Sequence, residues 1–385
     1  MRRDYLLLLS ARLVRAFGFG LGTVILGLHL ERKGLAAAQI GAALAIGLGA
    51  GALSGLVAAP ISSRLGRRPV LALTGVLMLM TGLDLAFAQS PWLLVPAGLT
   101  GMLGGAGLDV GPFLAVEQPM LAEAVDARAR NLAFGRYSLV GALGGALGGL
   151  AAGGAADLNR SSLLFIVFGL AGLVTAVLSL LLSRAVEVAT PPTTRLDLRG
   201  LSGLAALFGL DALGGGFVAN AVIAYWLHAR FGAPSSVLGP SFAAIGLLQA
   251  AGYELSGRLA SRVGLVNTMV FTHLPSNLLL LAIPLSPTLA WAIGLLLCRF
   301  AISQMDVPAR QAYVVSIVAP AHRAGALATT GAVRGLGLVA GPFLAGLAIQ
   351  AAQFGLPFYL GGGLKIAYDV ALYVGFRSRR GEHEA

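Results

Sequence analysis

Cysteine is nearly missing from this 385-residue chain: Cys298 stands alone, so no disulfide can form within it and no thiolate cluster can hold a metal. Lysine is almost as scarce. Lys33 follows Arg32 and Lys365 follows Leu364, so neither completes the Gly-Lys-Ser or Gly-Lys-Thr of a nucleotide-binding loop, and ATP is not an expected partner. The five histidines show no metal-ligand spacing, and no metal or other cofactor is expected. Charge is thin throughout, at 11% of residues, against about 25% in a soluble globular chain. That deficit excludes an ordinary soluble domain and a disordered one.

What the chain has instead is apolar surface: 57% of residues are hydrophobic and the mean hydropathy is +0.84. Apolar runs of twenty residues or more, each able to cross ~30 Å of hydrocarbon as a helix, recur at 5–30, 38–62, 69–88, 92–122, 131–153 and 161–183. A second series falls at 201–228, 237–257, 265–285, 288–318, 324–350 and 357–376. The fold class this predicts is an all-α polytopic membrane protein with twelve transmembrane helices. Arg12 and Arg15 interrupt the first run, so it reads as a retained helix rather than a cleaved signal.

A net charge of +11 would suggest nucleic acid in a soluble protein, but its placement argues otherwise. Sixteen arginines fall on one set of connecting segments, whereas the opposite set holds only Arg32, Lys33, Arg160 and Arg230. By the positive-inside rule the arginine-rich side is cytoplasmic, both termini included, in a cytoplasmic (inner) membrane. The basic residues thus address membrane lipid, and no nucleic-acid partner is expected.

The chain also repeats itself. After the second run stands Ser63-Arg64-Leu65-Gly66-Arg67-Arg68, and after the eighth Ser261-Arg262-Val263-Gly264, an echo of Ser-Arg-x-Gly at an offset of 198. Arg130, Gly144 and Gly148 return as Arg323, Gly337 and Gly341 at an offset of 193. Two separate places thus agree on a half of about 195 residues. The longest polar link, with Thr190-Pro191-Pro192-Thr193-Thr194, cannot continue a helix. The expected organisation is a six-helix bundle at 1–183, a cytoplasmic linker at 184–200 and a second, pseudo-symmetric six-helix bundle at 201–385.

At these residues the chain resembles the major facilitator superfamily. That family's loop between helices two and three reads Gly-x-Leu-Ala-Asp-Arg-x-Gly-Arg-Arg, and Arg64, Gly66, Arg67 and Arg68 match it in place, while the second loop keeps Arg262 and Gly264. Ser63 and Ser261 stand where the family has Asp. The resemblance implies alternating access of a midplane cavity lined by runs 1, 4, 7 and 10, with 2, 5, 8 and 11 behind them. It further implies a secondary transporter rather than an enzyme, moving a small organic solute and resembling drug or metabolite efflux carriers that exchange it for protons. Proton-linked uptake of an anionic metabolite and a non-transporting receptor are the alternatives. Nothing in the sequence calls for a second copy, and a monomer is expected.

Ionisable groups inside the runs are costly enough, at about 2.5 to 3.5 kcal/mol each on insertion scales, to mark function. Asp109, Asp211 and Asp306 are the candidate proton carriers, with Asp109 first because no basic residue interrupts its run. Arg15, Arg299 and Arg334 lie about ten residues, ~15 Å, from a membrane face. With Ser303 they are expected to line a cavity of positive potential suited to an anionic amphiphile. Arg299, Ser303, Asp306 and Arg310 follow a 4-3-4 spacing on one helix face. Glu117, Glu123 and Asp126 are the expected partners of Arg64, Arg67 and Arg68 in a cytoplasmic latch; the alternative is that these arginines serve topology alone. Gly337, Gly341 and Pro342 predict close helix packing and a bend. Lys365 and Asp369, at i,i+4, are expected to neutralise each other.

Overall fold

The computed structural model describes residues 2–88, 95–103, 112–124, 130–154, 161–187, 201–318 and 323–377. Among them, nine helical stretches are long and apolar enough to cross a membrane. The first half contains α1 (Arg2–Arg32), α2 (Ala37–Leu65), α3 (Arg67–Phe87), α4 (Val95–Leu99), α5 (Pro112–Ala124), α6 (Arg130–Gly154) and α7 (Ser161–Leu180). The second contains α8 (Ser202–Phe217), α9 (Asn220–Phe231), α10 (Ser235–Val263), α11 (Leu265–Ala282), α12 (Leu289–Ser303), α13 (Asp306–Ser316), α14 (Arg323–Gly337), α15 (Ala340–Gln350) and α16 (Leu356–Phe376). Leucine, valine and phenylalanine cover the outside, with Leu53, Met80, Leu147, Leu163, Phe271 and Val374 all more than half exposed. Such a surface needs lipid. Every backbone group within it must then be satisfied inside a helix, and helices are what these runs form.

Two loops show the duplication in three dimensions. Gly66 (φ +97°) and Gly264 (φ +88°) each join one long helix directly to the next, in a left-handed conformation that a side chain resists. Their N–H groups donate back to Ser62 and Ala260. Just before each turn a serine hydroxyl donates to the carbonyl three residues back, Ser63 to Pro60 at 2.8 Å and Ser261 to Arg258 at 2.9 Å. The residues that replace the family's Asp thus finish the end of the preceding helix.

Three of the expected runs are broken near their middle. The run 201–228 divides between α8 and α9 after Gly214-Gly215-Gly216, the run 288–318 divides at Gln304-Met305, and the run 324–350 divides at Leu338-Val339. Pro308 and Pro342 fall in the first turn of the helix that follows each of the last two breaks, where a missing N–H leaves no hydrogen bond unmade.

Within the first half α3 packs along α7, and α1 along α6 and α7; within the second, α8 packs against α14 and α16. The halves meet chiefly through α6 with α10 and through α2 with α15. Backbones touch there: a Cβ on Gly41 would lie 2.3 Å from the Pro342 carbonyl oxygen, and one on Gly239 would lie 2.4 Å from Gly153 Cα. Farther along the same α6 and α10 pair, a Cβ on Gly246 would clear the nearest atom of Ala142 by 3.5 Å. The two halves are therefore tightest at the membrane face that carries residues 33–36 and 232–234.

Candidate solute and coupling site

Among the described residues, two buried ion clusters occupy the interior, one in each half. In the first, Arg15 of α1 donates to both carboxylate oxygens of Glu117 on α5, at 2.8 and 2.7 Å, and to the Tyr137 hydroxyl on α6 at 3.1 Å. Tyr137 in turn donates to Glu117. Arg15 and Glu117 have no exposed surface. The Arg15 guanidinium lies 4.2 Å from the Phe113 ring centre, and Arg12 lies 4.7 Å from that of Tyr137. A bidentate pair with a further hydroxyl donor satisfies two charges that lipid alone would not tolerate.

The second cluster is larger. Asp211 on α8 accepts from Lys365 of α16 at 2.7 Å and from Arg334 of α14 at 2.6 Å, with Arg310 of α13 at 3.5 Å and His273 of α11 at 3.7 Å. Arg310 also donates to Asp306 at 2.8 Å. Asp369 lies behind, taking His273 at 2.8 Å and Asn277 at 2.8 Å. One carboxylate thus holds cations from three helices, and α8, α13, α14 and α16 converge on it.

Several expectations need correcting. Glu117 does not meet the arginines of the 64–68 loop, because α5 carries it into the α1–α6 interface where the buried Arg15 requires an anion. Among the described residues, Arg67 and Arg68 reach the end of α7 and the residues just after it. Arg67 donates to the Val186 carbonyl at 3.1 Å and Arg68 to that of Leu180 at 2.5 Å, while the Glu187 carboxylate accepts the backbone N–H of both and caps α3. Arg64 and Arg262 are exposed. Lys365 and Asp369 do not pair with each other: Lys365 reaches Asp211 and Asp369 reaches His273, since both side chains serve neighbours across helices rather than along one. Arg15 and Arg334, expected to present open charge, are each neutralised by an acid.

Arg299, Ser303, Asp306 and Arg310 stay on the buried side, at 3–7% exposure, even though the helix breaks between the second and third of them. Gly337 packs against the Gly209 carbonyl, Gly341 against Gly216, and Pro342 lends its carbonyl to the contact with Gly41. Asp109, Asp126 and the Glu123 side chain lie outside the described residues.

Sequence reasoning missed how the clusters are spaced. Arg15 and Asp211 are 196 positions apart, and Glu117 and Arg310 are 193, both close to the length of one half. The signal was present in the offsets, but a search for identical residues passes over an arginine that becomes an aspartate.

A family model described as the Major Facilitator Superfamily matches residues 8–305. The chain belongs to that superfamily. A major facilitator chain is a transporter, not an enzyme, and its all-α fold of two pseudo-symmetric bundles agrees with solved relatives. The nucleoside transporter NupG is 16% identical, with 98% of this chain and 100% of that one covered at a TM-score of 0.76. The D-xylose-proton symporter is 16% identical, with 96% of each chain covered and a TM-score of 0.75. The human organic anion transporter MFSD10 is 20% identical, with 96% and 99% covered and a TM-score of 0.68. In sequence, an uncharacterized membrane protein of Saccharomyces cerevisiae is 25% identical over 417 residues, covering 96% of this chain and 93% of that protein.

Proposed function

We propose that this major facilitator protein is a proton-coupled secondary transporter of a small organic solute, working by alternating access as a monomer in the cytoplasmic membrane with both termini inside. The reading rests on Asp211, a buried carboxylate that compensates Lys365 and Arg334 directly and Arg310 at longer range. Protonating it would remove the charge that ties α8 to α14 and α16, so proton occupancy and helix arrangement are linked through one atom group. Among the described residues Asp306 holds Arg310 alone, and it is a lesser carrier. Asp109 remains a candidate on sequence grounds. The contact between the halves at the 33–36 face supports a state closed to the outside, with the solute route opening toward the 64–68 face.

Direction follows from the sign of the charge. A proton on Asp211 frees cations in the interior, which favours an anionic solute binding together with the proton, as uptake by symport requires. Efflux by antiport, which the resemblance favours, requires solute and proton to exclude each other and is the second reading. Flux into proteoliposomes under imposed pH gradients decides between them. Symport predicts accumulation on the alkaline side, and antiport on the acidic side. Asp211→Asn should abolish gradient-driven accumulation in either case, and full accumulation by that variant would refute Asp211 as the coupling group.

A further inference from the structure

Among the described residues, the buried charges of the second half do not balance. Arg299, Arg310, Lys365 and the half-buried Arg334 face three acids, Asp211, Asp306 and Asp369. Arg310, Arg334 and Lys365 each have an acid within 4.0 Å, whereas Arg299 has none. It is 5% exposed, and its Nε and Nη1 have no hydrogen-bond partner among the described residues. One helical turn later the Ser303 hydroxyl, 3% exposed, is equally unpartnered. The buried stripe of α12 runs through Ala292, Leu296, Arg299, Phe300 and Ser303, so both polar groups look into protein rather than lipid. The only ring close to the guanidinium among those described is Phe300, its neighbour in sequence, 4.6 Å away.

Leaving a guanidinium unpaired in such surroundings is strongly unfavourable, and the neighbouring acids are already engaged. An arginine presents a planar fork of donors matched to an oxyanion, and a serine hydroxyl on the same face adds one more. We infer that Arg299 and Ser303 form an anion seat that takes a carboxylate of the transported solute. The structure thereby narrows three candidate arginines to one, because Arg15 and Arg334 already hold acids. Phe300 and Leu296 on the same stripe suit an apolar or aromatic body attached to that carboxylate.

This inference rests on the transport reading for the word solute, but the seat can be tested without flux. The purified protein in detergent is melted with 1-naphthoate, 1-naphthamide, 1-naphthylmethylamine or sodium chloride, for wild type, Arg299→Gln, Arg299→Lys, Ser303→Ala and the surface control Arg258→Gln. A ligand of the native state raises the melting temperature in a concentration-dependent way. The expected result is stabilisation by naphthoate alone. Its apparent affinity should fall about tenfold or more in Arg299→Gln, which removes a charge-assisted interaction. The loss should be smaller in Arg299→Lys and Ser303→Ala, with none in Arg258→Gln. Equal stabilisation by the amide, an equal effect of chloride, a naphthoate effect that survives Arg299→Gln, or no naphthoate effect on wild type would each overturn the seat. Naphthoate stabilisation without flux in vesicles would instead refute transport and leave the seat standing, so the two failures are distinguishable.

Discussion

Arg15 and Asp211 stand 196 positions apart, close to the length of one half, and carry opposite charges. Arg15 on α1 pairs with Glu117 on α5, and Asp211 on α8 lies 3.5 Å from Arg310 on α13, 193 positions after Glu117. The two ion pairs thus have opposite polarity along the chain. A pair is symmetric in its attraction, so either assignment of charge closes the same helices, but the surroundings differ. The carboxylate of the first half has one guanidinium and a tyrosine, while that of the second has three cations. The first is consequently suited to holding a bundle together and the second to changing its partners.

The first pair should therefore behave as structure. Arg15→Met or Glu117→Gln alone leaves a buried charge without its counterion, and breaking a buried pair costs about 3–5 kcal/mol. The swap Arg15→Glu with Glu117→Arg restores the attraction in the polarity already used by the other half. Thermal unfolding in detergent should show large losses for the single variants and partial recovery for the swap. A swap no more stable than either single variant would mean that Tyr137 and Phe113 fix the polarity.

The two glycine turns make a matched comparison. Both hold φ values near +90° that cost a residue with Cβ about 1–3 kcal/mol. At Gly66 the new Cβ would also meet a carboxylate, 3.0 Å from Glu187 Oε2, the group that caps α3. Gly66→Ala should therefore lose about 1 kcal/mol beyond the cost of its φ, the usual worth of a cap. Glu187→Gln alone should lose part of that amount, because an amide caps a helix N-terminus less well than an anion. A Glu187→Ala variant that melts with wild type would show that Glu187 contributes nothing.

Much of this was legible from residue types and spacing, and the rest was hidden for a definite reason. Arg64 to Arg68 and Arg262 to Gly264 announced the duplication because glycine at positive φ leaves few alternatives in sequence. Charged residues inside apolar runs announced the interior because lipid excludes them. Which charge meets which could not be read along the chain. Lys365 and Asp369 are neighbours on one helix, yet each bonds to a different helix, since pairing is decided by which faces the tertiary fold turns together. Arg299 stood out no more than Arg334 until their partners were seen.

The face where the halves touch should act as a gate. Glu31 at the end of α1 accepts from Tyr225 at 3.2 Å and lies 3.2 Å from His228 Nε2 on α9, and the Ala38 N–H donates to Gln350 of α15 at 3.1 Å. In a Cys298→Ser background, a short thiol crosslinker joining Ala38→Cys to Gln350→Cys should stop flux in vesicles, and a cleavable version should restore it on reduction. Undiminished flux in the fully crosslinked protein would mean that this face does not open in the cycle.

The second cluster should separate stability from coupling. Among the described residues, removing the acid in Asp211→Asn leaves Lys365 with no anion within 4.0 Å, and Arg334 likewise, so the variant should lose more stability than Lys365→Met, which leaves Asp211 with its arginines. Combining Asp211→Asn with Lys365→Met removes one charge of each sign and should recover a substantial part of the lost stability. Coupling should not recover, since the proton-accepting carboxylate is gone. The measurement pairs thermal unfolding with two vesicle assays: exchange at equal pH on both sides, and accumulation driven by a pH gradient. Retained exchange with lost accumulation in the double variant is the expected signature. Restored accumulation there would assign the proton to another acid and leave Asp211 a structural residue.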